Sequence, residues 1–599
     1  MTLYENANGR TYKISEEGER TQLANFTAEI IEEIRFVDGS NIETQLRIKG
    51  ERPEEIKAPD PKRSTEEPTL KPLPEILITA DDFTSMRWVM QSWGVRCIIT
   101  PGANNKEELR VAIQASSTPK IIVVYKHIGW DDIQGQRAYL HNGGAITKTG
   151  NKVNVQVSLC PELQRYNLAY DKAISTKDAV AATLSLSMLA DPAIMWPLIA
   201  GCVAPLFGPV DFGIHVTGRT GTFKSEVVSL LQSHYGVGMD ARHLPASWSA
   251  TGNALEALAY YAANALLVID DFVPTGTSWQ VRNYHTTADK IIRAQGNQAG
   301  RARLTDISKL QTTMYPRGMV LSTGEDTPEG HSVRARLLIL ELSPGDIAAE
   351  SLSKAQKNRG YYPVTVANLI QYLAEHPMDL KGRAETVRDA NINLGHTRTP
   401  SMVGALVASV EAFIEWAGVM KYITAKKEGE LIKEATAGIM AAAEKQSYYL
   451  EAADPVELFM STLRHILNSG LGHMRTLQGG IPKNPTLLGW TVEASYNDVA
   501  TYKSHGPTLG WVSWEDDEMY LDATAGYNAI RKVAGNDMTT TKQTMLKRLK
   551  DAAVMTRCDD TRQRNTVRIT ADSHNRQVVS LCLSAMLDTQ EKPDDEEEA

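Results

Sequence analysis

The 599-residue chain is poor in cysteine: Cys97, Cys160, Cys202, Cys558 and Cys582 are its five. No two stand at CxxC spacing, which excludes a zinc site built from neighbouring thiols. A sparse, odd-numbered set suits a reducing cytoplasm, so a cytoplasmic location is expected. The first ten residues hold no apolar run of the kind that opens a secretory leader. Long apolar runs are scarce as well. The longest, Ala193 to Gly208, is short for a bilayer span and carries Pro197 and Pro205. It reads as a buried helix pair, and no membrane partner is expected. Net positive charge is also missing: 63 Lys and Arg face 72 Asp and Glu, a formal charge of -9. That excludes a protein that coats nucleic acid with its whole surface, so any contact with DNA must be gathered in a channel or patch. No repeat of fixed period runs through the chain.

What is present is a chain too long for one core, with 42% apolar and 23% charged residues, the balance of globular domains. Residues 1–50 carry alternating runs such as Glu43 to Lys49 and read as an N-terminal β-rich region. Residues 51–74 hold Pro53, Pro59, Pro61, Pro68, Pro72 and Pro74 among charges, the composition of a linker. Residues 75–174 form a mixed α/β region, with a helical stretch near Phe83 to Trp93, a buried strand at Lys120 to Tyr125 and a hairpin from Gly129 to Leu140. Residues 175–345 alternate helix and strand, as in a parallel sheet with covering helices. Residues 346–475 are helical by periodicity. Residues 485–585 are mixed: a basic amphipathic helix, Thr539 to Lys550, precedes two strand-like runs, Thr566 to Thr570 and Val578 to Leu583. Helix followed by β-ribbon is the way a winged helix ends. Residues 586–599 form an acidic tail.

The most informative segment runs from Asp211 to Ser225. Ile214 to Val216 is a strand, Gly218 to Phe223 a loop, and Lys224 opens a helix with Val227, Val228, Leu230 and Leu231 on its apolar positions. Glycines at 218 and 221 let backbone N–H groups wrap a phosphate, with Thr220 and Thr222 in the same loop. Lys224 would reach the β/γ-phosphates of ATP, and the Ser225 hydroxyl would bind Mg²⁺. Phe223 departs from this pattern, standing where glycine usually precedes the lysine. A glycine turn before an ordinary helix is the alternative reading. A second motif weighs against it: Ala265 to Asp271 is an apolar strand ending in two acids. Asp270 would hold the Mg²⁺ shell and Asp271 polarise the attacking water, although most such sites use the longer Glu there. A third strand, Gly318 to Thr323, ends in Ser322 and Thr323, either of which could orient the water; a simple strand-capping hydroxyl is the alternative.

With these strands placed, Trp248 to Glu256, Ile269 to Phe272, Arg293 to Asn297 and Leu321 to Asp326 resemble an ATPase domain common on bacterial plasmids, phages and integrated elements. Some members of that group are similar to self-loading replicative helicases of the minichromosome-maintenance kind. The resemblance implies an α/β multidomain protein: an AAA+ P-loop NTPase core with an N-terminal β-containing region, a helical lid and a C-terminal winged helix. It implies that Arg336, after the third strand, is an arginine finger acting on a neighbouring subunit, with Arg334 its rival. Arg398 falls at the sensor 2 position. Arg301, Arg303 and Lys309 fall where such motors project a hairpin onto single-stranded DNA, with a solvated loop the alternative. The expected function is an ATP-dependent DNA helicase or translocase that works as a ring, a hexamer, with single-stranded DNA in its channel and duplex at the winged helix. The alternatives are an ATP-driven protein remodeller or helicase loader, and a DNA-binding initiator with a vestigial ATPase.

Overall fold

In the computed structural model, the described residues are 3–39, 41–54, 69–168, 173–300, 313–394, 396–451, 454–496, 499–535, 538, 540–559 and 564–587. They fall into two compact units. The first comprises Met1–Asp326, Leu340–Ala390 and Ser401–Met440; the second comprises Thr327–Ile339, Asn391–Pro400 and Ala441–Ala599.

The first unit opens on a three-stranded antiparallel sheet, Leu3–Ala7, Arg10–Ile14, Arg20–Ala24, followed by a five-stranded sheet in the order Gln156–Val157, Lys120–Tyr125, Thr27–Val37, Ile42–Pro53, Leu70–Thr79. This corrects two expected boundaries. The β-rich region 1–50 and the mixed region 75–174 share one sheet, because Lys120–Tyr125 pairs in parallel with Thr27–Val37. The expected linker 51–74 is also narrower: the strand Ile42–Pro53 enters it from one side and Leu70–Thr79 from the other. Pro72 and Pro74 fit because Leu70–Thr79 is an edge strand, where a missing N–H on the open side leaves no ladder partner unsatisfied. Leu23, Phe26, Ile48, Trp88 and Ile113 build the core beneath, with Trp88 and Trp93 edge to face at 4.9 Å. The stretch near Phe83 to Trp93 is broken, since Met86 caps the helix Ala80–Ser85 in a left-handed conformation. The expected hairpin is Gly129–Ile133 against Gln136–His141, extended by two more antiparallel strands.

A second five-stranded sheet carries the candidate site. Its order is Ala246–Ser247, Leu266–Phe272, Met319–Gly324, Gly213–Thr217, Leu337–Glu341. Leu266–Phe272 and Gly213–Thr217 both pair in parallel with Met319–Gly324, which therefore lies between them. Gly213–Thr217 is buried throughout, as a central parallel strand covered on both faces must be. The apolar stretch at Ala193 is the buried helix Pro192–Val203, started by Asp191, whose side chain accepts from the Ala193 N–H. A longer apolar helix is Thr399–Val419. Among the described residues it alone is long and apolar enough to cross a membrane, and 72% of its apolar window is buried, as in a core helix. Its Glu415 accepts a 2.9 Å hydrogen bond from Arg383.

In the second unit a further five-stranded sheet runs His473–Thr476, Thr508–Ser513, Glu518–Asp522, His574–Cys582, Val567–Ala571. The basic helix is Lys542–Asp551, capped by Thr541, with Met545, Leu546 and Leu549 inward. The hairpin expected after it is Val567–Ala571 with His574–Cys582. The expected start at 485 is corrected: the helix Pro455–Asn468 contributes Phe459, Leu463 and Ile466 to the same core as Leu509, Met519 and Leu581. Helical periodicity joined that helix to the preceding helices, but its apolar face is committed to this sheet.

Candidate functional site

The loop after Gly213–Thr217 is shaped by three left-handed or unusual backbone positions. Gly218 has φ 152°, and a Cβ there would lie 2.2 Å from the Leu342 carbonyl oxygen, so no other residue fits. Gly221 has φ 88°. Phe223 has φ 62°, the left-handed conformation that glycine adopts at no steric cost. The phenylalanine keeps that backbone and is 40% exposed. The helix Lys224–Gln232 starts at once and aims its N-terminal N–H groups at the loop, the arrangement that favours an anion. Thr222 is buried and donates to the Arg219 carbonyl at 2.9 Å. Lys224 Nζ donates to the carbonyls of Gly218 at 2.6 Å and Arg219 at 2.9 Å.

The two acids reach this loop through a fault in their strand. In a regular strand, successive side chains face opposite ways. Here the pairing with Met319–Gly324 is irregular between Ile269 and Phe272, and Asp271 has φ 68°. Such a bulge re-aims a side chain. Asp270 Oδ1 accepts from Ser225 Oγ at 2.9 Å and from the Thr323 hydroxyl. Asp271 lines the cleft with Lys224, and its N–H donates to Thr323 Oγ1 at 3.2 Å. Of the two hydroxyls on the third strand, Thr323 faces the acids. Ser322 is fully buried behind them, bonded to His215 Nδ1 at 2.9 Å and accepting from Trp248 Nε1 at 2.8 Å.

Glu325 was not singled out from the sequence. It accepts a hydrogen bond from the Thr220 hydroxyl and lines the cleft of about 290 Å³ with Phe223, Lys224, Ser225 and Asp271. The signal for it is its place one residue past the C-terminal end of the third strand, where functional groups gather in open parallel sheets. Also unforeseen is a brace behind the loop: Glu226 accepts from Gln356 Nε2 at 2.7 Å, and Arg359 donates to Ser229 Oγ at 2.9 Å.

The electrostatics are those of crowded acids around one lysine. Burial raises Asp271 above the ordinary aspartate value, and the Asp270 and Glu325 carboxylates add to the rise while Lys224 opposes it. Burial lowers Lys224, with Glu325, Asp270 and Asp271 opposing. A hydroxyl and a carboxylate oxygen 2.9 Å apart, with further carboxylates near, are the hard oxygen donors that suit Mg²⁺. The residues present therefore fit that ion.

The remaining expected residues lie elsewhere. Arg336 and Arg398 are in the second unit, and both act on the same histidine. His396 is lowered by burial first, then by His331, Arg398 and Arg336. Its Nδ1 accepts from the Arg398 N–H at 3.2 Å, and its ring lies 5.2 Å from that of His331. Arg336 Nη1 donates to the Ser332 carbonyl and hydroxyl, both at 2.7 Å. Its rival Arg334 donates to the Pro328 and Tyr449 carbonyls. Arg301, Arg303 and Lys309 lie outside the described residues.

The model of a domain of unknown function, DUF927, matches residues 94–304. That span includes the glycine loop 218–223 and both acids and stops before Met319–Gly324. No curated protein matches the chain in sequence. Among solved structures, the fold is similar to that of SCCmec type IV Cch, described as an active helicase, at a TM-score of 0.53 and 12% identity. The likeness covers 98% of this chain and 99% of that one. This mixed α/β, multidomain fold is thus one that a helicase also has.

Proposed function

We propose that the chain is an ATP-dependent DNA helicase or translocase of a mobile genetic element, built on an AAA+ core and acting as a hexameric ring. The observation that carries this reading is the meeting of Ser225, Asp270 and Thr323 beside Lys224, at the C-terminal ends of three parallel strands. The strand order, with the third strand between the phosphate-loop strand and the acidic strand, supports the AAA+ assignment.

Each residue then has a task. The backbone N–H groups of 218–223 and the helix N-terminus hold the phosphates, and Lys224 leaves its loop carbonyls to neutralise the β/γ charge. Ser225 and Asp270 would hold Mg²⁺, which would supply charge neutralisation at the phosphate oxygens. Asp271 orients the attacking water and accepts its proton as the bond to the leaving phosphate oxygen breaks. Thr323 fixes Asp270 and the water. Arg336 reaches the γ-phosphate of a neighbouring subunit, and Arg398, which with it lowers His396, serves as sensor 2. The segment 301–309 contacts single-stranded DNA, and the helix Lys542–Asp551 with its hairpin captures duplex as a winged helix.

ATP turnover with and without single-stranded DNA, together with strand displacement on a forked duplex, tests the reading, with Lys224→Ala as the inactive control. Stimulated turnover with displacement is expected. Turnover indifferent to DNA would point to a remodeller instead, and absent turnover to an initiator.

A further inference from the structure

The helix Ser278–Asn297 follows the acidic strand within the first unit. Its start is fixed by a capping box: the Thr277 side chain accepts from the Gln280 N–H, and the Gln280 side chain accepts from the Thr277 N–H at 2.8 Å. One side of the helix is core, with Ala288, Ile291, Ile292 and Gln295 buried. Tyr284 and His285 meet the ring of Phe272 edge to face, at 6.2 and 5.3 Å between centroids. The helix is thus seated on the residue that follows Asp271.

The other side is open. Trp279, Arg282, Asn283, Thr286, Lys290 and Arg293 share one helical face, and all six are exposed. Of the ten tryptophans in the chain, nine are buried or half-buried; Trp279 alone is exposed, at 73%. An indole left in water forgoes a large apolar burial, so its place on a rigid first turn points to a partner. The six positions carry three cations and no anion, in a chain whose formal charge is -9. The one acid on the helix, Asp289, accepts from Arg293 Nε at 2.6 Å, which leaves the face net positive. From Trp279 to Arg293 the face runs roughly 21 Å, at about 1.5 Å per residue.

This chemistry selects its occupant. The cations would attract any chain of phosphates. The indole needs in addition a flat group with an uncovered face, which a base in a duplex lacks because its neighbours stack on both sides. A single strand offers both, phosphates for the cations and free base faces for the ring. An acidic protein segment would pair with the cations and leave the indole unmatched. The helix also ends just before the basic segment 301–309, so the two are consecutive in the chain.

We propose that this face binds unpaired DNA, with a base stacked on Trp279 and phosphates along the strand held by Arg282, Lys290 and Arg293. The inference rests on the DNA-motor reading for its partner and adds to that reading a contact outside the segment 301–309.

The test uses the full chain and three labelled probes of one length: an oligo-dT strand, an abasic strand with the same phosphates, and a duplex. Trp279→Ala should weaken oligo-dT binding by about tenfold, the scale of one lost base–aromatic stack. It should leave the abasic strand and the duplex unchanged. Trp279→Phe keeps an aromatic face and should stay within about threefold of the wild type. Tryptophan emission should be quenched by oligo-dT in the wild type and far less in Trp279→Phe, because the other nine indoles are covered. Arg282→Ala combined with Lys290→Ala should weaken every probe and lower the salt slope by about one to two units. Matched melting temperatures check that the variants fold. Trp279→Ala that binds oligo-dT as tightly as the wild type, or that loses as much affinity for the abasic strand, overturns the proposal. If that variant instead changes the assembly state in sedimentation at unchanged oligo-dT affinity, the face is a contact between copies of the chain and the proposal is likewise overturned. If the wild type binds no single strand, the proposal falls together with the motor reading. Oligo-dT binding that depends on Trp279 but never stimulates turnover upholds the face and removes the motor reading alone.

Discussion

Ser225 Oγ donates a 2.9 Å hydrogen bond to Asp270 Oδ1 across 45 residues of chain. One residue begins a helix and the other ends a strand, and the third strand lies between the two strands that deliver them. Asp270 also takes the Thr323 hydroxyl, so the carboxylate is held by hydroxyls from two elements.

Asp271→Asn should spare nucleotide binding and reduce turnover by about 100-fold or more, the scale of a lost acid–base group. Equilibrium binding of a fluorescent ATP analogue and phosphate release separate the two effects. The same substitution gives a stability signature in the nucleotide-free protein. Burial and the neighbouring carboxylates raise Asp271 above its ordinary value. A carboxyl raised in this way stabilises the fold fully below its unfolded value and loses that contribution as pH rises through the folded one. At pH 7 the asparagine variant should therefore melt slightly higher than the wild type. The gap should close as pH falls through the carboxylate range. A normal rate of hydrolysis would remove Asp271 from its assigned role.

Phe223 offers a backbone test. Its φ of 62° costs a non-glycine residue roughly 1–2 kcal/mol, while glycine loses roughly 0.5–1 kcal/mol of chain entropy. Phe223→Gly should leave stability within about 1 kcal/mol of the wild type and keep turnover. Phe223→Val, β-branched at the same left-handed position, should distort the loop and lower turnover by about tenfold. Equal turnover in the two variants would show that the loop does not depend on this conformation.

The strand, glycine loop and helix from Gly213 to Gln232 were legible in the sequence because the pattern is local: an apolar strand, glycines, and a lysine and a hydroxyl at the start of a helix. The acids were legible as a pair at the end of an apolar strand. Their common aim was not, since it depends on a left-handed Asp271 that no periodicity marks. Glu325 stayed hidden because its role comes from pairing between strands far apart in the chain. The domain boundaries failed for a related reason. Parallel pairing of Lys120–Tyr125 with Thr27–Val37 leaves no mark in either segment, and prolines read as linker also suit an edge strand. That Arg336 and Arg398, far apart in the chain, both lower His396 is likewise invisible in one dimension.

Arg336 should act in trans. Arg336→Ala and Lys224→Ala should each lose nearly all turnover, and mixing the two should restore part of it, because some interfaces then carry both intact groups. Turnover across mixing ratios, with mixed assembly shown by crosslinking of differently tagged subunits, reads this out. Mixed assemblies with no recovery at any ratio would place Arg336 outside a shared site. Its bonds to Ser332 would then be its main role.

The DNA path has two further candidate sources of positive charge in a chain whose net charge is -9. One is the segment holding Arg301, Arg303 and Lys309, between the acidic strand and the third strand. The other is the helix Lys542–Asp551, where Lys547, Arg548 and Lys550 are exposed. In sequence the first lies between the strand that carries Asp270 and Asp271, from which the helix Ser278–Asn297 separates it, and the strand that carries Thr323, so a change at either strand on loss of the γ-phosphate has a route to it. Phosphate contacts are sequence-independent and weaken with salt, each adding about one unit to the log–log slope. Replacing Arg301, Arg303 and Lys309 by Ala should therefore leave basal turnover and assembly intact. It should abolish stimulation by single-stranded DNA and strand displacement, and flatten the salt dependence of binding by about two to three units. Replacing Lys547, Arg548 and Lys550 should instead weaken duplex capture and leave stimulation by single strands in place. If the first triple variant displaces strands at the normal rate, the segment is a solvated connection and the stroke reaches DNA by another route.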